Sequence, residues 1–152
     1  QTGGVYICPN CSAPTFFAPN DFRLPTPPFG NSISNLPKVL CSIYEEARKC
    51  ISNQCYTSAV MICRKILMNI AVDLGSDENL KFIEYVNYLS NEGYIPPNGK
   101  DWVDHIRKKG NEANHEIDLM DNKDAKELII FTEMLLKFIY EFPSIIKDKN
   151  SN

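Results

Sequence analysis

The sequence lacks a long hydrophobic run and an excess of basic charge, and it has only two histidines. A membrane-spanning helix needs roughly 18 or more consecutive apolar residues, so we expect no integral membrane protein. The first residues also lack the basic start and apolar core of a signal peptide. Proteins that coat nucleic acid carry a clear basic excess, whereas the net charge here is -3. The 152 residues fit one domain with a sizeable core.

Residues 1–37 differ in composition from the rest of the chain. They hold seven of the ten prolines and only two charged side chains, Asp21 and Arg23. The prolines of residues 25–28 favour extended backbone. We predict a short β-like or irregular element around residues 6–8, followed by an arm that packs over the body. A purely structural arm is the plainest interpretation.

From Leu36 onward, apolar residues recur at helical spacing. We predict an all-α antiparallel bundle of about five helices, near residues 38–51, 56–74, 80–93, 100–117 and 123–142. The second helix is apolar over most of its circumference and should be central. Gly75 should end it, and Ser76-Asp77 can cap the third. Pro143 should stop the fifth, whose broad apolar surface suggests a second subunit. The predicted units are an arm (1–37), a helical domain (38–143) and a C-terminal tail (144–152).

Arg107, Asn111 and His115 are spaced by four residues within the predicted fourth helix. At about 100° per residue they form one stripe, flanked by Asp104 and Asn114. A permanent cation, an amide and an imidazole on one face can hold a phosphate or orient a ribose hydroxyl. The imidazole can also carry a proton near neutral pH. These three residues are therefore candidate site residues.

The same segment also permits a structural interpretation. Lys108-Lys109-Gly110 is a good helix C-terminus, with cations in the last turn and glycine beyond it. Residues 111–122 would then form a loop and the stripe would not exist. Even in a continuous helix, the asparagines can bond to nearby backbone and His115 can be a satisfied core residue. The residues alone leave these alternatives open.

The order of these elements resembles the domain-of-unknown-function family 4145, a branch of the HEPN superfamily of small helical bundles. The resemblance covers nearly the whole chain. It rests on Cys8-Pro-Asn-Cys11, Leu36-Pro37, Tyr44-Glu-Glu-Ala-Arg48, the stretches 58–67, 92–97 and 106–115, and a long final helix.

The resemblance implies a HEPN-like fold that pairs as a dimer. Many HEPN domains are metal-independent ribonucleases or nucleotide-binding partners in prokaryotic toxin and defence systems. Active members use an arginine, a short spacer and a histidine, often with asparagine directly after the arginine. Asn111 and His115 match that asparagine and histidine, whereas Gly110 occupies the arginine position. Arg107 lies one turn earlier, outside the usual spacing.

Six cysteines are many for this length. Most are expected to be reduced, buried small residues, which indicates a cytoplasmic protein. Cys8 and Cys11 have the spacing of a zinc knuckle, so they form a candidate zinc half-site that lacks two ligands. Cys41, upstream residues or a partner chain would complete it. A reduced pair and a local disulfide are the alternatives.

We therefore expect an accessory or nucleotide/RNA-binding module, dimeric, in a prokaryotic defence or restriction context. The catalytic alternative is a metal-independent endoribonuclease, with His115 as general base or acid and Arg107 or Asn111 at the phosphate. A purely structural dimerisation domain is the third interpretation. Possible partners are a second copy, RNA or a nucleotide, and a defence-system protein.

Overall fold

The arm forms a small antiparallel sheet. The structure is a computed structural model and describes residues 3–19, 22–96, 99, 102 and 119–150. The strands are β1 (Gly4–Ile7), β2 (Pro14–Phe17) and β3 (Arg23–Leu24), in the order β1-β2-β3. Tyr6 lies opposite Thr15, and Phe17 lies opposite Arg23. The β element predicted around residues 6–8 is confirmed for Tyr6 and Ile7, while Cys8 lies in the turn that follows β1.

The sheet leaves its apolar side chains in solvent. Tyr6 and Phe17 pack edge to face with their ring centroids 5.5 Å apart, yet Tyr6 remains 63% exposed. In the described part of the chain, the buried core begins only at Ile33. The exposed apolar residues of the sheet and its flank are Val5, Tyr6, Ile7, Phe16, Phe17, Phe22 and Leu24. The sheet therefore adds area to the surface and little to the core.

The body of the molecule is helical, as its apolar periodicity predicts. Its first three described helices are α1 (Lys38–Ser52), α2 (Tyr56–Asp73) and α3 (Phe82–Asn91). The next is α4 (Asn122–Leu136), and α2 contacts α1, α3 and α4. The central position predicted for the second helix is confirmed, because its wide apolar surface needs partners on several sides.

The entry to α3 differs from its prediction. Gly75, at a φ of 110°, follows Leu74, the C-cap of α2, as expected of a residue that ends the helix. Ser76 and Asp77 do not cap α3, which starts only at Phe82. The Glu84 carboxylate instead accepts a hydrogen bond of 2.7 Å from the Lys81 backbone N–H. That bond satisfies one N–H at the start of the helix, the role expected of Ser76-Asp77.

Pro143 does not stop the C-terminal helix. Residues Lys137–Glu141 form a π-helical turn after α4, and α5 (Phe142–Asn150) follows directly. The Phe142 N–H bonds to the Lys137 carbonyl, five residues back, which resets the hydrogen-bond register. Pro143 then lies in the first turn of the new segment, where a missing N–H costs little. The expected stop is wrong, and residues 144–150 are helical.

Most of the predicted fourth helix lies outside the described residues. The predicted count of five helices therefore stays a prediction. Of that segment the structure describes Gly99 and a helical Trp102. Among the described helices, none combines the length and the hydropathy needed to cross a bilayer.

Candidate functional site

A buried carboxylate fastens the arm to the helices. Glu133 of α4 accepts hydrogen bonds from the Asn31 backbone N–H at 2.9 Å and from the Asn31 side-chain amide at 2.8 Å. The Tyr44 hydroxyl lies 3.2 Å from the same carboxylate and 3.1 Å from the Asn31 carbonyl oxygen. Lys137 adds an ion pair. One side chain thus joins the arm, α1 and α4.

The pKa values in this cluster follow from burial and charge. Burial raises the pKa of the Tyr44 phenol, and the negative charge of Glu133 raises it further. Burial also acts to raise the pKa of Glu133, but the bonds from Lys137 and Asn31 outweigh it and lower that pKa overall. The cluster therefore pairs an ionised carboxylate with a neutral phenol, an arrangement that holds structure together without transferring a proton.

Arg48 secures the same part of the arm from α1. Its Nε donates to the Phe29 carbonyl at 2.9 Å, and a terminal nitrogen donates to the Gly30 carbonyl at 2.8 Å. A salt bridge of 2.6 Å joins it to Glu45. Gly30 has a φ of 74°, and a Cβ there would lie 2.8 Å from a Glu133 oxygen. In the described ranges no buried side-chain nitrogen or oxygen lacks a partner, so these polar groups are committed to the fold.

A cleft of about 510 Å³ opens beside this fastening, between the arm and the ends of the helices. Arg23 enters it from β3, and Lys126 enters it from α4. The Lys126 ammonium lies 5.2 Å from the centre of the Phe29 ring. The full lining comprises Phe22, Arg23, Thr26, Pro27, Pro28, Phe29, Gly30, Ile51, Ser52, Gln54, Tyr56, Asn122 and Lys126.

The side chains of this cleft combine positive charge with aromatic surface. Arg23 and Lys126 are cations, and none of the lining residues in the described ranges is a carboxylate. Phe22, Phe29 and Tyr56 offer aromatic surface, the kind on which an unpaired base stacks. Cations beside such surface can neutralise a phosphate. Sequence reasoning missed this site because the arm and α4 are far apart in the chain. The available signal was that Arg23 is the only cation in residues 1–37.

Arg107, Asn111 and His115, the candidate site residues of the sequence, lie outside the described residues. Two attachments flank their segment. Trp102 stacks on Phe131 of α4, with ring centroids 5.9 Å apart and planes at 15°. On the other side, the Met120 N–H donates to the Thr57 hydroxyl of α2 at 3.2 Å.

Comparison with protein families gives one match. Residues 45–151, more than half of the chain, match the model of a domain of unknown function, DUF4145. The chain belongs to the DUF4145 family. Neither the curated proteins nor the solved structures gave a match. Within the cleft, Lys126 and Tyr56 fall in the DUF4145 region, whereas Arg23 comes from the arm that precedes it.

Cys8 and Cys11, the candidate metal ligands, also precede the DUF4145 region and lie in the turn between β1 and β2. The turn is closed by a 3.0 Å bond from the Cys8 N–H to the Ala13 carbonyl. The N–H groups of Cys11 and Asn10 point at the Cys8 sulfur and lower the pKa of its thiol. In the described residues no group of three or more metal-binding side chains occurs, so the pair stays a candidate half-site.

The remaining cysteines of this DUF4145 protein differ from expectation in burial. All six are free, and only Cys63 is buried, where desolvation raises the pKa of its thiol to about 12. Cys55 is exposed at the turn between α1 and α2. The expected burial of most cysteines is wrong, because helical periodicity does not show which face a partner covers.

The C-terminal helical segment of the DUF4145 region presents an uncovered apolar surface. We define the C-terminal stripe as Ile130, Phe138, Phe142, Ile145 and Ile146, all exposed. Phe138 and Phe142 pack edge to face at 5.3 Å. The π-helical turn carries this surface past Pro143 without a break in the helix. The stripe agrees with the broad apolar pattern of the sequence.

Proposed function

We propose that this chain is a HEPN-like binding module for RNA or a nucleotide, and that it works as a homodimeric accessory component in a prokaryotic defence or restriction context. The observation that carries the ligand class is the cleft between the arm and the helices. It combines Arg23 and Lys126 with the aromatic side chains of Phe22, Phe29 and Tyr56. The context follows from the resemblance to HEPN proteins.

The cleft has the size and composition for one nucleotide unit. Its volume of about 510 Å³ lies within the roughly 300–1,000 Å³ usual for small-molecule sites. Gln54 and Asn122 add amides that can bond to a base edge. Among the residues that the structure describes, the lining holds no histidine, cysteine or carboxylate, the side chains that most often supply acid–base catalysis. The cleft therefore favours binding over chemistry.

The stripe of Arg107, Asn111 and His115 is proposed as a second contact for a longer RNA. It lies within the matched family region, and its residue types suit a phosphate and a ribose hydroxyl. A bound RNA would then meet cations at both places, whereas a mononucleotide would use the cleft alone. Dependence of binding on the second contact therefore distinguishes RNA from a mononucleotide as the ligand.

Replacing Lys126 by Ala is expected to weaken binding of a short single-stranded RNA about tenfold, because one phosphate contact is lost. Fluorescence anisotropy with a labelled oligonucleotide measures the change. The slope of log K against the logarithm of the salt concentration should become shallower by about one, because one fewer counterion is released. Arg23→Ala should act in the same way. Arg107→Ala should weaken binding of the RNA but leave the affinity for a competing mononucleotide unchanged. Lys65→Ala, at an exposed position of α2, is the matched control.

Two outcomes would contradict this proposal. Equal RNA affinity in the Lys126→Ala, Arg23→Ala and Lys65→Ala proteins would remove the cleft as the binding site. RNA cleavage that persists in EDTA and disappears in a His115→Ala variant would establish the endoribonuclease and overturn a binding-only role. Both assays use the same protein preparations.

The C-terminal stripe supports the dimeric part of the proposal. Phe138 is 49% exposed and Phe142 is 41% exposed, although both are large and apolar. Large apolar residues grouped on a surface usually mark an association site. A second copy fits such a surface because a twofold axis brings the same residues together from both chains. Residues 130–146 then contribute the centre of the interface.

Phe138→Glu is expected to raise the dimer dissociation constant at least about thirtyfold, since it places a charge in the centre of an apolar interface, at a cost of about 2 kcal/mol or more. Sedimentation equilibrium over a dilution series measures the constant. Met61→Glu, at a 58% exposed position of α2, is the control. If both variants associate like the unmodified chain, the stripe is not the interface.

A further inference from the structure

The turn between α1 and α2 brings two cysteines together at the end of a helix. Cys50 lies in the last turn of α1, and Cys55 directly precedes α2. The Cys55 N–H donates to the Cys50 carbonyl at 2.8 Å, and the Gln54 N–H donates to the Ile51 carbonyl at 3.0 Å. Gln54 has a φ of 62°. Two such bonds around a left-handed residue form a Schellman motif, a common way to close the C-terminus of a helix.

The motif limits the separation of the two cysteines. The side chains at these two positions of a Schellman motif commonly pack against each other. The 2.8 Å bond also sets an upper limit on the distance between the Cα atoms of Cys50 and Cys55. With standard bond lengths on both sides of the hydrogen bond, that limit is about 6.7 Å. Disulfides usually join Cα atoms about 4.4–6.8 Å apart, so rotation of the side chains suffices to bring the sulfurs together.

The two thiols differ in exposure. Cys55 is exposed, and its sulfur lies 3.5 Å from the Asn53 carbonyl oxygen. Cys50 is partly buried against the core. Burial, and after it the neighbouring Cys55, raises the pKa of the Cys50 thiol. An oxidant therefore meets Cys55 first, and Cys50 is placed to resolve the intermediate.

The residues around this pair form one wall of the cleft between the arm and the helices. Four lining residues belong to the turn or follow it: Ile51, Ser52, Gln54 and Tyr56. The Ser52 hydroxyl donates to the Pro27 carbonyl, which ties the turn to the arm. A covalent bond between Cys50 and Cys55 would fix the turn that presents the Gln54 amide and the Tyr56 ring to a ligand.

We propose that Cys50 and Cys55 are a site of reversible oxidation, and that the disulfide between them strengthens RNA binding in the cleft. The effect on RNA rests on the proposed function of the cleft. Gln54 occupies a backbone region that few residues other than glycine adopt, so the reduced turn has other conformations to visit. A cross-link removes some of these conformations and lowers the entropy lost on binding. A disulfide across an exposed turn is also easily reduced, which makes the change reversible.

The step balances with a small-molecule disulfide, such as oxidised glutathione, as the oxidant. The Cys55 thiolate attacks one sulfur of the oxidant, the S–S bond of the oxidant breaks, and one glutathione thiolate leaves. The Cys50 thiolate then attacks the Cys55 sulfur of the mixed disulfide and releases the second glutathione. The protons of the two cysteines pass to the two glutathione thiolates. Two protein thiols are thus oxidised while one small-molecule disulfide is reduced.

Equilibration of the whole chain in glutathione buffers of graded potential tests the site. Chymotryptic cleavage after Tyr44 and Tyr56 gives a fragment that contains Cys50 and Cys55 but not Cys63. After alkylation, mass spectrometry should show this fragment doubly alkylated in the most reducing buffer. In the most oxidising buffer it should be free of alkylation and lighter by two hydrogens.

Matched variants identify the pair. Every protein in the series carries Cys8→Ser and Cys11→Ser, so that the hairpin cysteines do not compete for the oxidant. Cys55→Ser should abolish the disulfide fragment, whereas Cys41→Ser, which removes another thiol of α1, should keep it. Thermal unfolding of each reduced protein verifies that the helical body is intact.

Fluorescence anisotropy with a short single-stranded RNA measures the effect on the cleft. The oxidised protein should bind at least about threefold more tightly than the reduced protein, because the turn is preorganised. Cys55→Ser should bind equally in both buffers. An alkylated Cys50–Cys55 fragment in the most oxidising buffer would overturn the site, and a complete disulfide with unchanged RNA affinity would overturn its effect on binding. A disulfide in a protein that binds no RNA in either buffer would support the oxidation site and contradict the proposed function, so the two failures are distinguishable.

Discussion

Glu133→Ala is expected to lower the free energy of unfolding by about 2–4 kcal/mol, since bonds to a charged, buried acceptor contribute about 1.5–3 kcal/mol each before relaxation. The carboxylate accepts from the Asn31 backbone, the Asn31 side chain, the Tyr44 hydroxyl and Lys137. Its removal takes the acceptor from the two Asn31 N–H groups and from Lys137 at an 8% exposed site, while the Tyr44 hydroxyl keeps the Asn31 carbonyl. Urea denaturation measures the loss. Glu46→Ala, at an exposed position of α1, is the control and should stay within about 0.5 kcal/mol.

The pH dependence of this loss provides a second readout. The pKa of Glu133 is lowered in the folded chain from an ordinary 4.5. A carboxylate with a lowered folded pKa stabilises the fold above its unfolded pKa, and that contribution is lost as the pH falls through the folded value. The difference between the unmodified chain and Glu133→Ala should be full near pH 7 and shrink below 4.5. A pH-independent difference would show that the charge is not what stabilises the arm.

Leu67→Ala is expected to cost about 3–4 kcal/mol, because a large-to-small change in a packed core loses transfer free energy and leaves a cavity. Leu67 lies on α2, is 0% exposed, and belongs to the core on which α1, α3 and α4 meet. Chemical denaturation measures this change as well. Leu119→Ala makes the same substitution at an 87% exposed position and should change stability by less than about 0.5 kcal/mol.

Comparable losses of unfolding free energy for Leu67→Ala and Leu119→Ala would contradict the central placement of α2.

Leu67→Ala should also leave the cleft intact, since Leu67 is not among its lining residues. RNA binding by the folded fraction of this variant should therefore match that of the unmodified chain. Glu133→Ala removes one of the side chains that hold the arm, so it should weaken RNA binding together with stability, because Phe29 and Arg23 belong to that arm.

Local patterns in the sequence predicted several elements directly. The 3.6-residue period of apolar side chains gave α1 and α2, and Gly75 marked the end of α2. The proline-rich composition separated the arm from the helical body. The C-terminal helix was misjudged at Pro143, because a π-helical turn is a hydrogen-bond register change that single-residue preferences do not reveal. The cap of α3 was misplaced for a related reason, since Lys81 is not a usual capping residue.

The candidate site residues also fall into two groups, those that the sequence shows and those that only the fold brings together. The Cys8–Cys11 pair and the spacing of Arg107, Asn111 and His115 are visible in the sequence because their members are close together in the chain. The cleft is not, because Arg23 and Lys126 meet only after the arm has folded back over α1 and α4. That folding depends on Glu133 and Arg48, whose partners lie in the arm.

By itself, the sequence determined a helical body with a distinct N-terminal arm, since periodicity and composition act over neighbouring residues. It also determined which side chains are available to bind a phosphate, a base or a metal ion. Only the tertiary structure decided that Glu133 joins the arm to the helices, that most cysteines are not buried, and that cations of the arm and α4 share a cleft. The physical reason is that burial and long-range contact depend on how the elements pack together.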